Sequence, residues 1–219
     1  MKTITITSVP GYDEWRIAAR ECLAQAIPPE NIIWQNSESI QDDLFGDGEQ
    51  DIAASKPKTQ HTIPKSVLIL FKYALCHQDA SRFALCYRVL WRVIFENKNL
   101  IQLKTDQDIL QLTTLAKAVK RDAYKISAFL RFREVTLDGQ EHFIAWYEPE
   151  HFSLEIKLDF FQTRFKNMRW SILTPYRAAH WDTEKLVLED NPDPRVFPDE
   201  DRIEKYWLTY YANIFNPAR

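Results

Sequence analysis

The sequence predicts an α+β fold, a mainly antiparallel sheet that includes a hairpin over residues 127–148, with helices packed against it. Three observations carry this expectation. Asp138-Gly139, a preferred pair for a tight type I′ turn, separates two runs that alternate from face to face. Stretches with apolar residues at three- and four-residue spacing lie on both sides of that hairpin. The 219 residues are 45% apolar and 13% aromatic with only four glycines, ample for a hydrophobic core. We read residues 1–219 as one domain carrying a mobile acidic loop at about 35–60.

Composition narrows the function classes. The net charge of −3 is unremarkable, so the distribution of charge matters more than its total. Few glycines argue against phosphate-cradling loops, which need close backbone approach. Cys22, Cys76 and Cys86 have neither CxxC nor metal-ligand spacing and read as reduced, buried side chains, so no metal or cofactor is expected. The opening Met1–Thr7 alternates like a strand rather than an export signal, and no apolar run approaches the ~18 residues of a membrane span. A soluble, cytoplasmic protein with no membrane contact is expected.

In chain order, β-branched alternation makes Thr3–Ser8 a strand and Pro10-Gly11 a turn. Trp15, Ala18, Ala19, Cys22, Leu23 and Ala26 form the buried stripe of a helix that Pro28-Pro29 ends, and Ile32–Trp34 is a second strand. Between 35 and 60, six acids face only Lys56 and Lys58. Pro64 opens a helix reaching about His77. Asp79 or Ser81 caps the next, whose Phe83, Tyr87, Trp91 and Phe95 repeat every four residues as core, with Arg88 and Arg92 on a neighbouring face. Residues 105–108 resemble a capping box for a helix burying Leu112, Leu115, Ala116 and Val119. Its far end exposes Lys117, Lys120, Arg121 and Lys125 with one acid, Asp122. Those cations either complement the helix C-terminus or form a phosphate-facing ridge.

Strands at 127–135 and 141–148 then follow. With a two-residue turn, Leu137 pairs with Gln140, Arg133 with Ile144 and Arg131 with Trp146. Leu130, Phe132, Phe143, Ala145 and Tyr147 share the inward face; Phe129, Arg131, Arg133, His142, Ile144 and Trp146 share the other. A helix from Pro149 carries Leu154, Leu158, Phe161, Phe165 and Met168. Trp170–Thr174 is a strand, 175–182 a loop and 185–189 an edge strand, and a last helix spans 199–215.

One stretch, 165–182, sets Lys166, Arg169, Arg177 and His180 among Phe165, Trp170, Tyr176 and Trp181, with no acid before Asp182. Aromatics interleaved with cations suit stacking on flat anionic ligands, or else a buried strand followed by a loop that closes the core. Phosphate-cradling, dinucleotide, nucleophile-elbow and metalloprotease motifs are missing, so no catalytic residue is assigned.

Residues 74–92, 116–135, 143–152, 164–175 and 207–219 together resemble a bacterial domain of unknown function associated with DNA metabolism or repair. That domain stands beside a radical-SAM protein or is fused to a uracil-DNA glycosylase-like one. The family pattern falls on Arg121, Asp122, Lys125, Arg131, Arg133, Trp146, Arg169, Trp170, Trp181, Asp182 and 216–219. Tyr124 stands where many members carry histidine, and Thr183 where many carry glycine. The resemblance implies an accessory protein that binds DNA, single-stranded or damaged, alongside such a partner. Lys117, Arg121, Lys125, Arg131 and Arg133 would neutralise phosphates while Trp146 or Trp181 stacks an exposed base, and Arg169, Trp170, Arg177 and His180 complete the expected binding residues. The alternatives are a module that docks the partner without touching DNA, and an enzyme acting on a nucleobase.

Overall fold

The computed structural model describes residues 1–36, 62–137 and 139–190, and these form the expected α+β arrangement. The acidic segment and the helix expected at 199–215 lie outside the described residues, apart from Gln35 and Asn36, which end a strand. The chain divides into two compact units: residues 1–121 with 151–153, and 122–150 with the described residues from 154 on.

In the first unit, β1 (Lys2–Ile6) and β2 (Ile32–Asn36) pair in parallel across α1 (Tyr12–Ala24). Gly11 starts α1 at φ 82°, a left-handed turn that favours glycine. The anticipated stripe Trp15, Ala18, Ala19, Cys22 and Leu23 is buried, and the Trp15 indole donates to Phe83 O at 3.0 Å. Ala26 lies beyond the helix and is exposed. Pro64 precedes α2 (Lys65–Ala74), which sends Val67, Phe71 and Ala74 into the core against α3 (Arg82–Phe95) and α4 (Gln107–Phe129). Of the aromatic row on α3, Phe83 and Tyr87 are buried while Phe95 is exposed.

Asp106 caps α4 by accepting the N–H groups of Asp108 and Ile109. It also receives Arg92 at 2.7 Å, and Asp108 joins Arg88 and Arg92 at 2.8 Å each. These arginines hold both carboxyls below their ordinary range. The three cysteines are free and buried, as their spacing suggested.

The second unit is a five-stranded sheet in the order β3 (Arg133–Leu137), β4 (Gln140–Trp146), β5 (Trp170–Leu173), β6 (Arg177–Trp181), β7 (Leu186–Asp190). Only the β4–β5 pair is parallel, bridged by the connection that carries α5 (Leu158–Arg164). The hairpin register is the expected one, with Leu137 opposite Gln140 and Arg133 opposite Ile144, and Gly139 in the turn at φ 75°.

Three boundaries differ. Helix α4 continues through Phe129 and 130–132 is irregular, so 127–132 is not strand: Ile126 and Leu130, one helical turn apart, both enter the hydrophobic cluster, which favours the helical spacing. The expected loop at 175–182 instead contains strand β6. Thr174 and Arg177 close a tight turn through Thr174 N–H to Arg177 O at 2.9 Å and Arg177 N–H to Thr174 Oγ1 at 3.0 Å. Arg-Ala-Ala-His-Trp has weak strand propensity, and pairing on both sides supplies what propensity lacks. The expected long helix from Pro149 reduces to α5, although Leu154, Leu158 and Phe161 still enter the core.

Candidate nucleic-acid interface

Strand pairing sorts the sheet into two faces. One carries Phe143, Ala145, Trp170, Ile172, Ala179 and Trp181, packed with Ile126, Leu130, Leu154, Leu158 and Phe161 into a hydrophobic cluster. Trp170 is fully buried and Trp181 is 8% exposed, their rings stacked at 6.5 Å. The Trp181 indole is spent on Lys166 O at 3.1 Å. Neither indole offers a face to a base, which corrects the expectation that they stack on a ligand. Arg177 projects to the same side. It bonds Glu155 at 2.7 Å and also pairs with Asp190, so its charge is matched within the unit.

The other face carries Arg133, His142, Ile144 and Trp146 as anticipated, joined by Ser171 and His180 from β5 and β6. Three of these form one line of hydrogen bonds across three strands. His142 Nε2 lies 2.9 Å from Ser171 Oγ, which lies 2.8 Å from His180 Nδ1. His180 Nε2 is 4.0 Å from Glu189 Oε2. The Ser171 hydroxyl can donate to one ring nitrogen and accept from the other, the direction following the tautomers of the two histidines. Burial pushes the His142 pKa down to about 4, helped by the nearby Arg169 charge. Burial and His142 push His180 down to about 3. Both rings are therefore neutral near pH 7, and His180 is no cation for a phosphate. Ser171 is fully buried, with its oxygen engaged on both sides, so the line braces the sheet rather than presenting a nucleophile.

Around this buried line, Arg133 is exposed, and Arg169 is half-buried with its guanidinium on Gln140 Oε1. Trp146 is half-buried and donates to Glu148 at 3.0 Å. Arg131 does not face Trp146. It precedes the first paired residue of β3, and its guanidinium donates to Ala128 O and Leu130 O, each at 2.9 Å. It serves the end of α4, where orphan carbonyls attract a cation.

Helix α4 carries the rest of the expected cations. Lys117 and Arg121 are exposed one turn apart, with Lys120 beside them. Lys120 Nζ sits 4.6 Å from the Tyr73 ring centre. Asp122, the acid that interrupts the run in sequence, is 1% exposed and accepts Glu150 N–H at 3.2 Å. Lys125 pairs with Glu150 at 2.9 Å in a solvent-exposed ion pair, so its charge is matched there. Sequence reading treated Asp122 as a break in the ridge, because only tertiary packing shows where a helix side chain is covered. Among the described residues, no group of three or more His, Cys, Asp and Glu could hold a metal ion, and no helix is long and apolar enough to cross a membrane.

A family model described as a domain of unknown function (DUF4130) matches residues 80–219, more than half of the chain and parts of both units. No curated protein and no solved structure matches.

Proposed function

We propose that this chain, which belongs to the DUF4130 domain family, is a nucleic-acid-binding accessory protein of DNA metabolism. The observation that carries the reading is the second half of α4. Lys117, Lys120 and Arg121 stand exposed there, and the one neighbouring acid, Asp122, is turned inward and hydrogen-bonded. A helix face with cations and no exposed acid attracts polyanions by releasing their counterions. The sequence resemblance supports the wider setting, in which the chain works beside a radical-SAM or uracil-DNA glycosylase-like protein.

Fluorescence-anisotropy titration of labelled DNA at several salt concentrations tests the reading. Lys117→Gln with Arg121→Gln should weaken binding and flatten the log–log salt slope by about 0.9 per lost duplex contact. Wild-type protein that fails to bind DNA at low salt would reject it.

A second reading has its own observation. Tyr124 and Phe129 are 68% and 65% exposed, large apolar side chains of the kind that protein partners bury. On that reading the chain docks its partner without touching DNA, and binding is insensitive to salt.

A further inference from the structure

Helix α2 lies outside the residues that the family model matches, and sequence reading gave its cations no role. It contains no acid at all, only Lys65 and Lys72, both exposed. They are seven residues apart, nearly two full turns, so they share one face about 10 Å apart along the axis. The opposite side of α2 is fixed in the core by Val67, Phe71 and Ala74, so the lysine face cannot roll inward. Tyr73, next to Lys72, holds Lys120 of α4 over its ring at 4.6 Å, which brings the two helices' exposed cations to one surface of the first unit.

The nearest described acids in sequence are already engaged. Asp79 accepts Ser81 N–H at 2.8 Å, while Asp106 and Asp108 are held by Arg88 and Arg92. Lys65, Lys72, Lys117, Lys120 and Arg121 thus form a surface that no described acid on either helix neutralises.

Resting on the nucleic-acid reading above, we infer that α2 and α4 together bind the phosphate backbone of double-stranded nucleic acid, without reading its sequence. Single-strand binders combine cations with open aromatic platforms. On α2, Phe71 is buried and Tyr73 lies under Lys120, so this helix offers no open ring, and its exposed apolar side chains, Leu68 and Ile69, are aliphatic. Lysines on helix faces provide point charges for phosphates, and a duplex offers the denser line of them. Leu68 and Ile69 lie beside the lysines and suit the apolar edges of the sugars.

The test compares the full-length wild type with Lys65→Gln/Lys72→Gln and with Lys98→Gln/Lys104→Gln, a control on the exposed α3–α4 connection. Each is titrated by anisotropy against a labelled 20-base-pair duplex and its single strand at four salt concentrations, with far-UV circular dichroism confirming the fold. The duplex should bind at least as tightly as the single strand. The α2 variant should bind it several-fold more weakly, with the salt slope flattened by about 1.8 for two lost contacts, and the control should match wild type. An unchanged slope in the α2 variant beside a flattened one in Lys117→Gln/Arg121→Gln overturns the role of α2 and leaves the nucleic-acid reading standing. Strong preference for the single strand overturns the duplex assignment. Absence of any wild-type binding overturns both. Cosedimentation with phosphatidylserine vesicles, lost in the α2 variant while DNA binding is kept, would assign the surface to an anionic membrane instead.

Discussion

Lowering the pH should destabilise this chain well above the range in which its carboxylates titrate, because of two buried imidazoles. His142 is 3% exposed and His180 is 1% exposed. Above pH 6.5 both rings are neutral in the folded and unfolded chains, and stability is fully present. Between 6.5 and about 4 the unfolded chain takes up two protons that the fold excludes, so stability is lost as the pH falls. Each ring contributes roughly 1.4 kcal/mol per pH unit in that window, so the pair should cost roughly 4–5 kcal/mol between pH 6.5 and 4.5. That is a large part of the 5–15 kcal/mol typical of a domain.

Glu14, Asp79, Asp106 and Asp108, held below their ordinary range, add their losses only below about pH 4.5. The assay is urea unfolding of wild type and His142→Gln/His180→Asn at pH 7.5, 6.5, 5.5 and 4.5. Glutamine places an amide near the Nε2 position and asparagine an oxygen near Nδ1, so both hydrogen bonds to Ser171 can be kept without a titrating ring. His77, also held low by burial, is common to both proteins. The variant's stability should vary less with pH, by about 2 kcal/mol per unit near pH 5.5. Parallel curves for the two proteins would refute the claim that the fold keeps these rings neutral.

Three further outcomes follow from the geometry. Ser171→Ala leaves His142 Nε2 and His180 Nδ1 without the hydroxyl between them and should cost about 1–3 kcal/mol at pH 7.5, read from the urea midpoint; no measurable loss would show that the line does not brace the sheet. Gly11→Ala should cost clearly more than Gly139→Ala in thermal melts. Both sit at positive φ, but a Cβ at Gly11 would collide with Ile6 Cγ2, while at Gly139 it meets nothing within 4 Å. Arg131→Ala removes a donor from the last carbonyls of α4 and should cost under about 1 kcal/mol while leaving the DNA salt slope unchanged; a flatter slope would return Arg131 to the binding surface.

Local chemistry by itself determined a good deal of this protein. The Asp138-Gly139 pair set the hairpin register, period-two alternation put His142, Ile144 and Trp146 on one face, and helical spacing named the buried stripes of α1 and α4. Each of these depends on residues close in sequence, whose geometry a period or a turn type already fixes.

What the sequence left open was which face something else covers. Trp170 and Trp181 read equally well as ligand platforms or as core, and the cluster with Phe161 and Leu158 settles them as core. Asp122 read as a flaw in a basic ridge until Glu150, 28 residues on, supplied its partner. Ser171 drew no notice, since a serine in a short strand acquires meaning only when His142 and His180 arrive from two other strands. Alternation and spacing record direction along one element. Burial, and with it the charge state of a histidine or the availability of a tryptophan, depends on atoms that distant parts of the chain bring alongside.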